Sequence, residues 1–319
     1  MTTGGDQTRK GDFAKPSRFW EKLGSEHAAD LAARGPDWVK RAQAFRYFTW
    51  RWCWPGALHG EQFRFLATHT SPITWLRCLA APVDLSRDDW EGVDWSARER
   101  WAYAIAVRLL WEFTRRHDTT RALDLPEPAL GHPLPVFWRG RLISQDLANS
   151  ALEAAAIKRS IGSARVKSIL EIGAGYGRTA YVLMNALPAT TYTIVDVEPA
   201  LSIARWYLPQ LFGSERLRFL RPDEALSLHA GSVDLALSIS SLQEMTPMQV
   251  QGYINLLDRV AAGGVVYLKQ WAEWHNLDDR VSLRFADYPI PANWNPIFSE
   301  PAPVQTGFLQ MAWRVPRKT

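Results

Sequence analysis

The hydrophobic positions change their period once along the chain. From about residue 16 to 160 they recur at helical spacing: over 95–116, Trp101, Ile105, Leu109 and Phe113 lie four residues apart, with Asp94 or Ser96 placed as the cap. Shorter helices are expected near 16–33, 37–48 and 72–80. The stretch PEPALGHPLPVFWRGRL, rich in Pro and Gly, breaks this pattern and marks a boundary, with VFWRGRLI as a small hairpin. A further helix is expected to start at the N-cap Ser144 and run through SQDLANSALEAAAIKRSI to about 160.

From 165 onward, short β-rich runs alternate with helical ones: VKSILEI, a helix from 178, TYTIVDV, a helix near 199–211, LRFL, VDLALSI, a helix from 247, and GVVYLKQW. Alternation at this spacing predicts an α/β, Rossmann-like, mostly parallel sheet with helices on both faces. The chain then divides into a disordered tail over 1–15, a mostly helical region over 16–143 and the sheet domain over 144–319. A last strand, FLQMAWRV, follows the Pro-rich stretch DYPIPANWNPIFSEPAP, which reads as a long loop of the kind that covers a site.

Composition narrows the function more than the fold. With 319 residues, 47% of them hydrophobic, the chain can bury a substantial core, which excludes disorder of the whole. The first 15 residues are polar and lack the apolar segment of a signal peptide, so a cytoplasmic protein is expected. Cys53 and Cys78 have no metal-ligand spacing and read as reduced core residues. The apolar run WAYAIAVRLLWEF is interrupted by Arg108 and is too short to span a bilayer, so no membrane role is expected. The net charge of +4 is spread evenly, with 21 of 37 basic and 18 of 33 acidic residues falling before residue 151. A nucleic-acid partner would call for a basic stripe, so none is expected. Of the 16 tryptophans, 11 precede residue 150, either as core payload or as an aromatic wall for a ring-shaped ligand.

The candidate chemistry sits at the strand ends. LEIGAGYGR places Gly173, Gly175 and Gly177 between a predicted strand and a predicted helix, where glycine lets the backbone approach a ligand. A dinucleotide fingerprint wants G-x-G-x-x-G, but the sixth position here is Arg178. With Glu171 just before the glycines, the pattern instead resembles the first motif of Rossmann-like S-adenosylmethionine-dependent methyltransferases. That resemblance implies a loop holding the cofactor's ribose and amino-acid portions, with Glu171 suited to an ammonium. Asp196, 19 residues beyond Gly177, suits the ribose hydroxyls, or else caps the next helix. Asp223 or Glu224 reads as an adenine contact or as exposed loop, and Glu198 as a ribose contact or a helix-end charge. Tyr176, Val197, Ser238 and Ser150 complete the candidate cofactor set; Ser150, Asn149 and Glu153 read equally as a packed helix face.

For the acceptor, SSLQEM after the fourth strand holds Gln243 and Glu244. The following helix has its own start signal in Thr246, Pro247 and Gln249, so Glu244 is not needed as a cap. It is a candidate general base, or else it holds the loop through an ion pair with Arg178 or Lys269. Gln243 can orient a hydroxyl but cannot take a proton. His275 is the rival base, its ordinary pKa being nearer neutrality, or a solvent-exposed loop residue. Lys269, Trp271 and Trp274 are candidates for an acceptor wall, with Trp271 reading equally as core packing, and no metal site is predicted.

Together, GRLISQDLANSALEAAAI, ILEIGAGYGRTAYVLMNALPATTYTIVDVEPAL, SISSLQEM, YLKQW, DYPIPANW and FLQMAWRV resemble the sugar O-methyltransferases of bacterial polysaccharide and natural-product clusters. They span about 137–315. The resemblance implies S-adenosylmethionine as cofactor and a small-molecule glycosylated acceptor, with a homodimer left open. Gln310 departs from the family's usual glutamate, and residues 1–130 lie outside the resemblance. The alternatives are N- or O-methylation of a non-sugar natural product, or a scaffold that binds the cofactor without transferring its methyl.

Overall fold

The structure, a computed structural model, describes residues 14–42, 45, 46, 49, 57–188 and 190–317. Cys53 and most of the tail lie outside these residues. The N-terminal part is helical: α1 (Arg18–Arg34), α2 (Ala57–His69), α3 (Pro72–Ala80) and α4 (Ala97–Thr114). The expected cap of α4 is Ser96, which forms a full capping box with Glu99. Over 37–48 the described residues hold the short 3-10 turn Pro36–Trp38, the turn that follows it and 3-10 residues at 45 and 46 in place of an α-helix, and α2 is a helix that the pattern did not predict. Arg108, the charge that interrupts the apolar face of α4, is buried: its guanidinium donates to the carbonyls of Cys78 (3.2 Å), Ala81 (2.9 Å) and Pro82 (2.6 Å). It satisfies the carbonyls that the end of α3 leaves open. The hairpin β1 (Phe137–Trp138) and β2 (Arg141–Leu142) then leads into α5 (Gln145–Ile161), capped by Ser144 as expected.

The remainder alternates: β3 (Ser168–Ile172), α6 (Arg178–Ala186), β4 (Thr191–Val195), α7 (Ala200–Phe212), β5 (Leu217–Leu220), β6 (Leu235–Ile239), α8 (Pro247–Val260) and β7 (Val265–Trp271). A small hairpin, β8 (Glu273–Asn276) and β9 (Val281–Arg284), precedes β10 (Asn295–Pro301) and β11 (Phe308–Arg314). The seven-stranded sheet has the order β10-β11-β7-β6-β3-β4-β5; β3 to β7 run parallel, and β11 and β10 return antiparallel. This is the expected Rossmann-like α/β arrangement. Because chain order reverses across β3 and β6, a crevice opens beyond their carboxyl ends.

Part of the expected Pro-rich loop is in fact a strand. β10 carries Pro296 and Pro301 and a register shift between Pro296 and Phe298, which an edge strand tolerates because proline has no N–H to give. Tyr288 and Trp294, before it, are buried against α8 and Trp313. One hydrophobic core runs from Leu109 and Trp111 of α4 through α5 to Leu237, Tyr267 and Phe308 of the sheet. Cys78 is a buried free thiol, its pKa pushed up to about 11 by burial. Among the described residues, no helix is long and apolar enough to cross a membrane.

Candidate functional site

A cleft partly open to solvent lies beyond the carboxyl ends of β3, β4 and β6. Its floor is the glycine turn. Gly173, Gly175 and Gly177 have φ of 73°, 58° and 94°, conformations that cost side-chain-bearing residues most. At Gly173 a Cβ would come within 2.0 Å of Ser241 Oγ, so this turn and the loop after β6 are pressed together. The Gly175 N–H donates to Asp196 Oδ2 (3.0 Å), and the Val197 N–H to Oδ1 (2.8 Å). Asp196 therefore braces the glycine turn and does not cap α7, whose N-cap is Pro199.

Three carboxyl groups line this cleft: Glu171, Asp196 and Glu244. Burial pushes Glu171 up to about 7, against the Tyr192 hydroxyl that donates to it at 2.7 Å. Burial likewise raises Asp196 to about 7 and Glu244 to about 8, partly offset at Asp196 by backbone N–H donors and at Glu244 by the Trp20 side chain. Ser240, the first residue after β6, sits at φ 55° on the same wall. A non-glycine residue held in that region marks a turn that its surroundings enforce.

The opposite wall comes from the far end of the chain. Lys15, Pro16, Ser17 and Trp20 line the cleft with Thr49, Gln249 and Tyr253. Ser17 caps α1 and donates to the Glu244 carbonyl (3.4 Å), and Gln249 Nε2 donates to the Lys15 carbonyl (2.6 Å). The Arg18 and Phe19 N–H groups donate to Asp279 of the β8–β9 turn (3.0 and 3.2 Å), and Lys22 pairs with Asp278 (3.1 Å). Asn276 Nδ2 donates to that same Glu244 carbonyl (3.0 Å) and to Asp279 (2.9 Å). The segment expected to be the end of a frayed tail is thus, at Lys15, part of the wall.

Several expected site residues lie elsewhere. Gln243 is buried with its amide spent: Nε2 donates to Ser240 Oγ (3.0 Å) and Oε1 accepts the Trp271 N–H (2.8 Å). It shapes the loop and is not among the residues lining the cleft. His275 is exposed on β8, bonded to Ser282, and is not among the residues lining the cleft. Asp223 is exposed beside Arg221. Tyr176 is buried and donates to Asp146 (2.7 Å), while Gly177 packs on Leu208. Ser238 and Ser150 are buried within side-chain networks, accepting from Gln270 and Arg178. Arg178 and Lys269 pair with Glu153 and not with Glu244. Trp271 and Trp274 lie 5.8 Å apart, and Trp271 packs on Phe308. Glu171, Gly173, Gly175, Asp196, Val197 and Glu244 are brought together on the cleft. The residues that sequence reasoning missed are Lys15, Ser17, Trp20, Thr49, Gln249 and Tyr253; only Gln249 carried a signal, and that was for capping α8.

Residues 170–266, which run from within β3 to the start of β7 and hold most of this cleft, match the family described as "Methyltransferase domain". No curated protein sequence matches the chain. Similar solved structures include the 1,6-didemethyltoxoflavin-N1-methyltransferase of Burkholderia thailandensis with bound 1,6-didemethyltoxoflavin and S-adenosylhomocysteine. It is 22% identical over 74% of this chain and 94% of that one, with a TM-score of 0.41. Others are a SAM-dependent methyltransferase from Aquifex aeolicus (14%, 51% and 89%, 0.39) and the [4+2]-cyclase SpnF (15%, 66% and 97%, 0.44).

The residues of this cleft suit S-adenosylmethionine as a ligand. S-adenosylmethionine brings a sulfonium, an ammonium and ribose hydroxyls, and the cleft offers three carboxyl groups whose charge burial alone disfavours. Among the described residues, no group of three His, Cys, Asp or Glu is placed to hold a metal ion. Since a cation favours the charged form of Glu171 and Asp196, binding it expels protons. Affinity for S-adenosylmethionine is therefore expected to rise from about pH 6 to about pH 8, more steeply than for the uncharged thioether product. Calorimetry in buffers of different ionisation enthalpy measures the release; proton uptake or a flat profile would contradict it.

Proposed function

We propose that the chain methylates a sugar hydroxyl of a glycosylated small molecule, a natural product or polysaccharide precursor, with Glu244 as the base. The observation that carries this reading is the Glu244 carboxyl on the cleft wall directly after β6, raised to about 8 by burial. An alcohol must shed its proton as its oxygen is methylated, whereas a neutral amine attacks with a free lone pair. A buried carboxyl tuned close to neutral pH is of use for the first and unneeded for the second.

When bound, S-adenosylmethionine supplies an electrophilic methyl on sulfur. The acceptor oxygen forms the new C–O bond, the C–S bond breaks with its electron pair going to sulfur, and the hydroxyl proton passes to Glu244. Trp20 donates to that carboxylate and holds it on the wall. Lys15, Ser17, Thr49 and Gln249 offer polar groups beside the rings of Trp20 and Tyr253, a mixture suited to a sugar, which has hydroxyls on its edge and C–H groups on its faces. The N-terminal region thereby takes the part of acceptor wall.

The test is mass spectrometry of a panel of glycosides, their aglycones and matched amines after incubation with S-adenosylmethionine. A gain of one methyl on glycosides alone is expected. A gain confined to amines or aglycones would overturn the sugar reading.

A further inference from the structure

The turn between β8 and β9 is not part of the cleft lining, yet it is bonded to both sides of the wall around Glu244. Asp279 stands at the N-terminus of α1: Oδ1 accepts the Arg18 N–H (3.0 Å) and Oδ2 the Phe19 N–H (3.2 Å). These are the first two N–H groups of the helix, which have no partner inside it. Ser17 Oγ takes the third, from Trp20, at 3.4 Å. A carboxylate 261 residues away thus caps α1 where its own N-cap, Ser17, reaches a single donor. Asn276 serves the other side. It is 4% exposed; Nδ2 donates to the Glu244 carbonyl (3.0 Å) and to Asp279 Oδ2 (2.9 Å), and Oδ1 accepts the Asp279 N–H (3.0 Å). Ser17 Oγ donates to that same carbonyl at 3.4 Å. Trp20, in the first turn of α1, closes the ring by donating to the Glu244 carboxyl.

We propose that Asp279 and Asn276 are positioning residues for the base: Asp279 aims α1, and with it Trp20, at the Glu244 carboxyl, while Asn276 fixes the backbone from which that carboxyl projects. The role of Glu244 as base rests on the reading above, but its positioning is measured without any acceptor. Removing the Asp279 carboxylate leaves two N–H groups at the start of α1 without a protein partner, so its first turn loosens and water reaches Glu244. Burial is the largest influence on that carboxyl and the Trp20 hydrogen bond a smaller, opposing one. Admitting water therefore lowers its pKa even as the Trp20 contact is lost. The other titratable groups facing it are Asp196, Glu171, Arg178, Lys15 and Tyr253 on the cleft and Tyr288 before β10, which feels the Glu244 charge. None of them belongs to the β8–β9 turn, and all are kept in the variants below.

The test follows the isotope-labelled Glu244 carboxyl carbon by nuclear magnetic resonance of the full chain from about pH 5 to about pH 10, its signal assigned by its loss in Glu244→Gln. Wild type is expected to titrate at about 8. Asp279→Ala is expected to lower this by about one pH unit or more, whereas Trp20→Phe, which keeps a ring on the wall but drops the donor, should raise it. Asp279→Asn keeps a side-chain oxygen for the cap and should stay nearer wild type than the alanine variant does. Lys22→Met, which breaks only the exposed pair with Asp278, should change nothing. An unmoved carboxyl in Asp279→Ala would overturn the proposal. So would equal falls in the asparagine and alanine variants, which would trace the effect to the lost charge and not to the cap. If Asp279→Ala fails to fold, Arg18→Pro decides: it deletes one of the two donors where proline suits a helix, and a smaller fall is expected, no fall overturning the proposal. A wild-type carboxyl in the ordinary range would instead count against Glu244 as the base, and an acceptor panel without a product leaves the titration as it stands.

Discussion

Replacing Glu244 with glutamine is expected to lower turnover about 10²- to 10⁴-fold, the usual contribution of a general base, while leaving affinity for S-adenosylhomocysteine unchanged. Glutamine keeps the shape of the side chain and can still bond Trp20, but it takes no proton. The pH profile gives an independent reading. With the carboxyl at about 8 in the free protein, kcat/KM should climb with pH up to that value, and Glu244→Gln should remove the rising limb. Stability moves the opposite way. A carboxyl whose pKa is raised on folding binds its proton more tightly in the native state, so its contribution is complete below the ordinary value and is lost as pH rises through the raised one. The thermal midpoint of the ligand-free protein should fall as pH rises from about 4.5 to about 8, less so in Glu244→Gln. Turnover equal to wild type in the variant would remove Glu244 as base, and a flat stability profile would place its carboxyl outside the buried setting described above.

Gly173→Ala is expected to have the next largest effect. The left-handed backbone there costs an alanine about 1–2 kcal/mol before any contact is counted. The added Cβ then meets Ser241 Oγ at 2.0 Å, so either the glycine turn or the loop carrying Ser240 and Glu244 must yield. Both surfaces line the cleft, and the expected result is a lower thermal midpoint together with roughly tenfold or greater loss of S-adenosylhomocysteine affinity. Adding Ser241→Gly removes the collision but not the backbone strain, so it should restore part of both losses. Calorimetry and thermal unfolding on the single and double variants measure this; no rescue by Ser241→Gly would mean that the contact is not what makes alanine intolerable.

What the sequence revealed of this molecule was local. The capping boxes at Ser96 and Thr246, the Ser144 cap and the glycine turn are each written within a few residues, because the hydrogen bonds that define them close over one helical turn. The strands β3, β4 and β6 showed as runs of branched apolar residues because both their faces are buried. The wall formed by Lys15 to Trp20 was not legible, since its partners, Glu244, Gln249 and Asp279, lie more than 220 residues away in sequence. Gln243 and His275 have side chains that suit catalysis, and composition alone cannot say that the first is spent on Ser240 and Trp271 or that the second points to water. β10 was masked by its prolines, a residue type that argues against a strand except at an edge.

The core that passes without a break from α4 through α5 into the sheet means that the change of texture near residue 143 is not a seam at which the protein can be cut. Tyr267 and Phe308 of the sheet share buried contacts with a cluster that reaches back to Val39 and Leu66. The N-terminal helices and the sheet are therefore expected to melt as one cooperative unit, a single transition in thermal unfolding. On the proposed reading, a changed acceptor preference is expected from exchanging side chains on the wall, whereas exchanging the whole N-terminal region would open the core it shares with the sheet.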